Sequence, residues 1–281
     1  MDRAAALTVV ALWGLNFIAA KLSLADMPPF LVTAFRFIGV AVLLVPFCRP
    51  RRDQLPGLFG VALVLGIGHF GLLYAGMSGV DAGTSAVLIQ LGVPFSVLLS
   101  WAVFKDRPDA RTWAGVGLAF GGVVLLAGGA ASGSAVSFAL IAAAMLMWAT
   151  ANILIKRLGA ISAFVLNGWM ALMSAPMMIL LSAVTETGQW AAMRAAGPAA
   201  WGGVAFTVVG SSVVAYTLWL GLLRRHPVSR VVPFTLLGPV IGFVAGVLVL
   251  GEAVTTIKVI GGLLTTAGVA VVELRRRVPE G

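Results

Sequence analysis

The stretch "VALWGLNFIAAKLSL", Val10 to Leu24, is apolar enough to span a membrane, yet it carries Trp13, Gly14, Asn16 and Lys21. Each of those residues is unfavourable in a helix that faces only lipid. The pattern returns in the second half of the chain, where "WATANILIK" (Trp148 to Lys156) matches "WGLNFIAAK" (Trp13 to Lys21). Recurrence makes the polar positions one wall of a shared cavity rather than faults in a span.

Working outward, the same economy holds for the whole chain. Of its 281 residues 60% are hydrophobic and 10% charged, against roughly 45–50% and 25% in an ordinary soluble domain. The formal charge of +9 does not indicate nucleic-acid binding, because the basic residues lie in short clusters between apolar runs rather than on one face of a water-soluble domain. A lone cysteine, Cys48, gives no disulfide framework and no metal cluster, and motifs such as HExxH, GxxxxGK[ST] and GxSxG are missing. Neither a cofactor nor a metal is expected, and an enzyme has no support.

A spanning helix needs ~20 predominantly apolar residues. Ten such stretches fall near 4–24, 30–48, 56–78, 82–104, 110–128, 134–156, 162–183, 198–223, 229–250 and 256–274. They predict an all-α membrane protein of ten transmembrane helices. The longest connection, Thr185 to Gly197, leaves no room for a soluble domain. Arg3, Arg49/Arg51/Arg52, Lys105/Arg107/Arg111, Lys156/Arg157, Arg224/Arg225/Arg230 and Arg275/Arg276/Arg277 occupy alternate connections, fifteen of the nineteen Lys and Arg. By the positive-inside rule that side is cytoplasmic, and both termini lie there. Arg3, the apolar run and the small-x-small Ser23-Leu24-Ala25 also look like a signal peptide, but the run is long enough to span and is read as a retained first helix.

The two halves superimpose at an offset of about 145 residues. "FKDRPDARTWAGVGLAFGGVVLL" (Phe104 to Leu126) lies against "VLGEAVTTIKVIGGLLTTAGVAVV" (Val249 to Val272), pairing Asp106 with Glu252, Gly115 with Gly261 and Gly122 with Gly268. Pro94 falls against Pro239. Each half, residues 1–130 and 131–281, holds five spans. Five is odd, so the second copy enters the membrane upside down. Such inverted repeats enclose a central cavity and work by alternating access.

"WGLNFIAAK", the "AFRF" of Ala34 to Phe37, the loop "KDRPDARTWAG" and "GPVIGFVAGVLVLGE" (Gly238 to Glu252) resemble the EamA branch of the drug/metabolite transporter superfamily. The first-half loop departs from the family, reading "FKDRP" where a Gly-Glu-Arg sequence is usual, with the acid kept as Asp106. Within that branch the chain is similar to bacterial inner-membrane exporters of amino acids and related metabolites, such as O-acetylserine/cysteine and YddG-type aromatic amino-acid exporters. The resemblance implies a multi-pass inner-membrane exporter whose partners are a small-molecule substrate and the bilayer, as a monomer or weak dimer. A multidrug exporter is the alternative, and a membrane-embedded protein with no transport role is a more distant one.

Thirty-four glycines need a reason in a helical protein. Those at four-residue spacing, Gly117/Gly121 and Gly238/Gly242/Gly246, read as seams where backbones approach. Pro94 and Pro239 sit mid-span and read either as candidate hinges or as static kinks that shape the bundle. Polar residues at membrane depth mark a cavity or a partner. The candidate substrate-binding set is Asn16, His69, Gln90, Trp148, Asn152, Trp169 and Tyr216, an amphipathic wall of amides, a histidine and aromatic rings. Asn16 and Asn152 read equally well as interhelical hydrogen-bond glue. His69 has three readings: substrate ligand, proton carrier or neutral structural residue. Arg36, mid-span in the second helix, either pairs structurally or holds a substrate carboxylate.

Overall fold

The computed structural model describes residues 2–105, 107–129, 134–226 and 231–275. Asp106, matched above with Glu252, lies outside them, as do Arg230, Arg276 and Arg277 of the basic connections. Among the described residues there is no strand, and nine helices are long and apolar enough to cross a membrane. They are α1 (Arg3–Asp26), α2 (Pro29–Phe47), α3 (Arg52–Ser78), α4 (Ala82–Phe104), α5 (Ala110–Ala127), α6 (Ala135–Arg157), α7 (Ala163–Thr185), α8 (Pro198–Leu222) and α10 (Thr256–Glu273). Between the last two, α9 (Phe234–Leu250) is a shorter apolar helix at the place expected for the ninth span. The protein is therefore an all-helical multi-pass membrane protein. The long connection before α8 holds a short helix, Gln189–Ala195.

Local sequence sets the helix ends. Asp2, Asp109 and Ser134 each accept from a backbone N–H in the first turn of α1, α5 and α6, satisfying donors that a helix start leaves open. Proline opens α2 and α8, where its missing N–H and fixed φ are harmless. α4 and α9 end on residues in the left-handed region, Lys105 (φ 60°) and Gly251 (φ 67°). Glycine takes that conformation freely; for Lys105 it is a strained stop.

Helix irregularities recur at one spacing. α3 widens into π turns over Ala62–Gly71 and α8 over Thr207–Val214, starts that are 145 residues apart. α4 tightens into 3₁₀ turns at Ile89–Leu91, three residues before Pro94, and Val232–Leu236 does so three residues before Pro239. Both prolines are buried. Pro176 inside α7 is a third mid-helix proline.

The main pairings are α5 with α10, α2 with α7, α1 with α8 and α9, α3 with α6, and α4 with α6 and α9. α5 and α10 meet backbone to backbone: a Cβ on Gly122 would lie 2.6 Å from the Gly261 carbonyl oxygen, and one on Gly268 2.6 Å from that of Gly115. The expected Gly117/Gly121 seam needs correction, because a Cβ at either would meet nothing within 4 Å. The contact face is rotated to Gly115 and Gly122. In the second expected run Gly238 also needs correction, since a Cβ there would meet nothing within 4 Å, whereas Gly242 lies close to Ala86 and Gly246 to the Gly83 backbone nitrogen and the Glu252 carboxylate.

Candidate functional site

The two ends of the bundle differ in chemistry and in closure. One end carries Lys105, Lys156 and Arg157; the other carries Asp26, Asp81, Glu186 and Glu252.

The acidic end is tied shut across the halves. Glu252 accepts from the N–H groups of Ala82 (2.5 Å) and Gly83 (2.9 Å) at the start of α4. Glu186 accepts from Phe30 (2.7 Å) and Leu31 (3.2 Å) at the start of α2. Both carboxylates therefore satisfy open helix-start donors and lie at the positive end of a helix dipole. Lys258, 3% exposed, pairs with Asp81 at 2.5 Å, and Lys21 donates to the Met77 carbonyl at 2.9 Å. Below this layer a Cβ on Gly14 would stand 2.7 Å from Ile241 Cγ2, and one on Gly242 would stand 3.5 Å from the Phe17 ring.

At the basic end α4 and α6 part around a cavity of about 320 Å³. Ser96, Ser100 and Phe104 line it from α4, and Trp148, Asn152 and Lys156 from α6, with Ala149 and Ile153 between. Each set follows a near four-residue step, so it presents one helix face. The Trp148 ring packs over Gly92, where a Cβ would come within 2.8 Å of it. The Lys156 ammonium stands 5.5 Å from the Phe104 ring centroid, a cation–π distance.

Of the candidate residues, then, Trp148 and Asn152 meet in one cavity. Tyr216 stands in a separate aromatic cluster: its ring meets Trp13 edge-on at 5.6 Å, and Trp13 meets Trp219 at 5.2 Å. Tyr216 is 38% exposed, so this cluster has an open face. Gln90 donates to Thr266 Oγ1 at 3.0 Å, while its own oxygen and the Asn16 side-chain oxygen are buried without a hydrogen-bond partner. Such orphaned acceptors are unfavourable in a bilayer interior.

His69 and Trp169 lie elsewhere. His69 is buried between α3 and α6, its Nδ1 3.0 Å from the Ala144 carbonyl oxygen. That oxygen accepts from whichever tautomer carries the Nδ1 proton. Trp169 donates to the Cys48 carbonyl at 3.0 Å and borders a different groove, with Pro46, Arg49 and Leu55. Arg36 is buried and occupied: it donates to Tyr74 Oη (2.9 Å) and Ser212 Oγ (3.0 Å) and lies over Phe70 at 4.6 Å. Ser212 passes the chain on to the Thr207 carbonyl at 2.8 Å, and Asn167 donates to the Ser212 carbonyl at 3.1 Å. Arg36 thus joins α2, α3 and the π-helical part of α8.

Ser96, Ser100, Phe104 and Lys156 line the cavity without being among the sequence candidates. The signal was present, since Trp148, Asn152 and Lys156 follow a strict four-residue step. In the sequence Lys156 reads equally as one of the basic residues of a connection.

An all-helical multi-pass membrane bundle with an open polar-and-aromatic cavity between α4 and α6 has the build of a small-molecule transporter. The comparisons make the class specific. The EamA-like transporter family model matches residues 4–128 and 135–274, and the chain belongs to that family. A probable amino-acid metabolite efflux pump of Salmonella typhimurium is 30% identical, the match covering 94% of this chain and 91% of that one. The protein of the same description from Escherichia coli (strain K12) is also 30% identical, over 95% and 93%. An uncharacterized transporter of Bacillus subtilis is 24% identical over 94% and 93%. One solved crystal structure, 20% identical, superimposes on 99% of this chain and 98% of its own with a TM-score of 0.65, a likeness of fold.

Proposed function

We propose that the protein exports amino acids, apolar or aromatic ones included, and related small metabolites by alternating access between two inverted five-helix repeats, residues 1–130 and 131–281. The basic end is cytoplasmic, with both termini there.

One observation carries this reading. Ser96 and Ala149 flank the open cavity at the basic end. Their counterparts under the repeat, Ile241 and Gly14, are packed together midway along α9 and α1. A pair of positions that is open in one repeat while its equivalent is packed in the other is what a rocking pair of repeats produces. The matched π and 3₁₀ segments, the pairing of α2 with α7 and of α5 with α10, and the two segments matched by the family model all support the repeat. The orphaned oxygens of Asn16 and Gln90 are groups that opening the acidic end would bring to water or substrate. The names of the 30% identical relatives support the substrate class.

The test is flux through proteoliposomes of the purified protein, with labelled amino acids and lipophilic cations, with and without a pH gradient. Saturable amino-acid flux, reduced by excess unlabelled amino acid, is expected. Cation flux without amino-acid flux would replace the reading with a multidrug exporter.

A further inference from the structure

We propose that Lys156 is the residue that receives the substrate carboxylate on the cytoplasmic side. The inference rests on the exporter reading and names the group within it that selects amino acids.

The cavity between α4 and α6 has one charged lining residue, Lys156, and no carboxylate. Lys156 is exposed and makes no hydrogen bond or ion pair among the described residues; its contact is the Phe104 ring. An ammonium with a hydrogen-bonding capacity of three donors and none used is a ready partner for an anion.

Its repeat-mate shows the contrast. Lys21 holds the same place in "WGLNFIAAK" that Lys156 holds in "WATANILIK", but it is spent on the Met77 carbonyl and lies in the field of Asp81 and Glu252. Arg36, the other cation a carboxylate could seek, is buried and already donates to Tyr74 and Ser212. Lys156 is the free one of the three.

The neighbouring groups suit the rest of an amino acid. Trp148 gives a flat apolar wall, and the Asn152 amide one turn from Lys156 can accept from the substrate ammonium. Ser96 and Ser100 face them across the cavity. A volume of about 320 Å³ lies at the small end of the roughly 300–1,000 Å³ of ligand sites, which suits one amino acid rather than a drug-sized cation. A lysine at the end of a span also meets lipid headgroups, so the test separates that source.

The measurement is binding of phenylalanine, leucine and methionine, and of their amides, to the purified protein in detergent. The wild type should prefer each acid to its amide by about tenfold, the worth of one hydrogen bond to a charged group. Lys156→Gln should lose that preference with amide binding unchanged, and Lys156→Arg should restore most of it. Unchanged amide binding also establishes that the variant is folded. A preference that survives in Lys156→Gln, or equal weakening of acid and amide, would overturn the inference while leaving the exporter reading intact. So would an effect of the substitution seen only in nanodiscs with anionic lipid and not in phosphatidylcholine alone. A wild type that binds neither acids nor amides would overturn the exporter reading itself.

Discussion

The carboxylate of Glu252 accepts the N–H of Gly83 at 2.9 Å across 169 residues of sequence. The end of α9 is thereby fastened to the start of α4, and the acidic end of the bundle is held shut. Glu252→Gln keeps the size but removes the charge that the helix start favours, at a cost of about 1 kcal/mol. The closed form should lose about fivefold in population relative to the open one. Accessibility of a reporter cysteine at position 241 measures this, and an unchanged labelling rate would show that the cap does not hold the end closed.

Pro94 has no N–H to donate to the carbonyl four residues back and follows a 3₁₀ segment by three residues, and Pro239 repeats the arrangement. If these are hinges, Pro94→Ala should slow transport severalfold with little loss of folded yield, since it restores a helix hydrogen bond. Transport and yield falling together would make the proline a static kink.

Adjacent glycines on α5 should respond with opposite sign. Gly121→Ala meets open space and should be neutral or stabilising by up to about 1 kcal/mol. Gly122→Ala drives a methyl to within 2.6 Å of the Gly261 carbonyl oxygen and should destabilise by about 1–3 kcal/mol. Thermal unfolding in detergent measures both, and equal shifts would mean α5 and α10 are not in backbone contact.

His69 holds α3 to the Ala144 carbonyl of α6 from a buried position. His69→Ala should cost about 1–3 kcal/mol of stability by removing a buried bond between α3 and α6 and leaving a cavity in its place, and the KM for amino acid should stay at its wild-type value. A raised KM at unchanged stability would return His69 to the substrate path.

The all-helical, multi-pass character and nine of the expected spans were legible because length and apolarity are one-dimensional properties; the stretch near 229–250 is the shorter helix α9. Trp148 and Asn152 were legible as one helix face because their spacing alone puts them there. What a helix face meets was not. Gly117 and Gly121 have the spacing of a seam, yet α5 is rotated so that Gly115 and Gly122 make the contact. The partners of His69 and Trp169 were not legible either, because the carbonyls they bond, Ala144 and Cys48, belong to distant segments. The partner of Arg36 was hidden for the same reason: Ser212 lies 176 residues away.

The most direct test of alternating access uses two cysteines related by the repeat, in a chain whose native Cys48 is replaced by serine. Ser96→Cys lies in the open cavity and Ile241→Cys in the packed layer against Gly14. With a membrane-impermeant maleimide, position 96 should label rapidly from the cytoplasmic face and position 241 slowly from the opposite one. Excess amino-acid substrate should slow the first and speed the second. Two rates that rise or fall together, or that ignore substrate, would contradict alternating access.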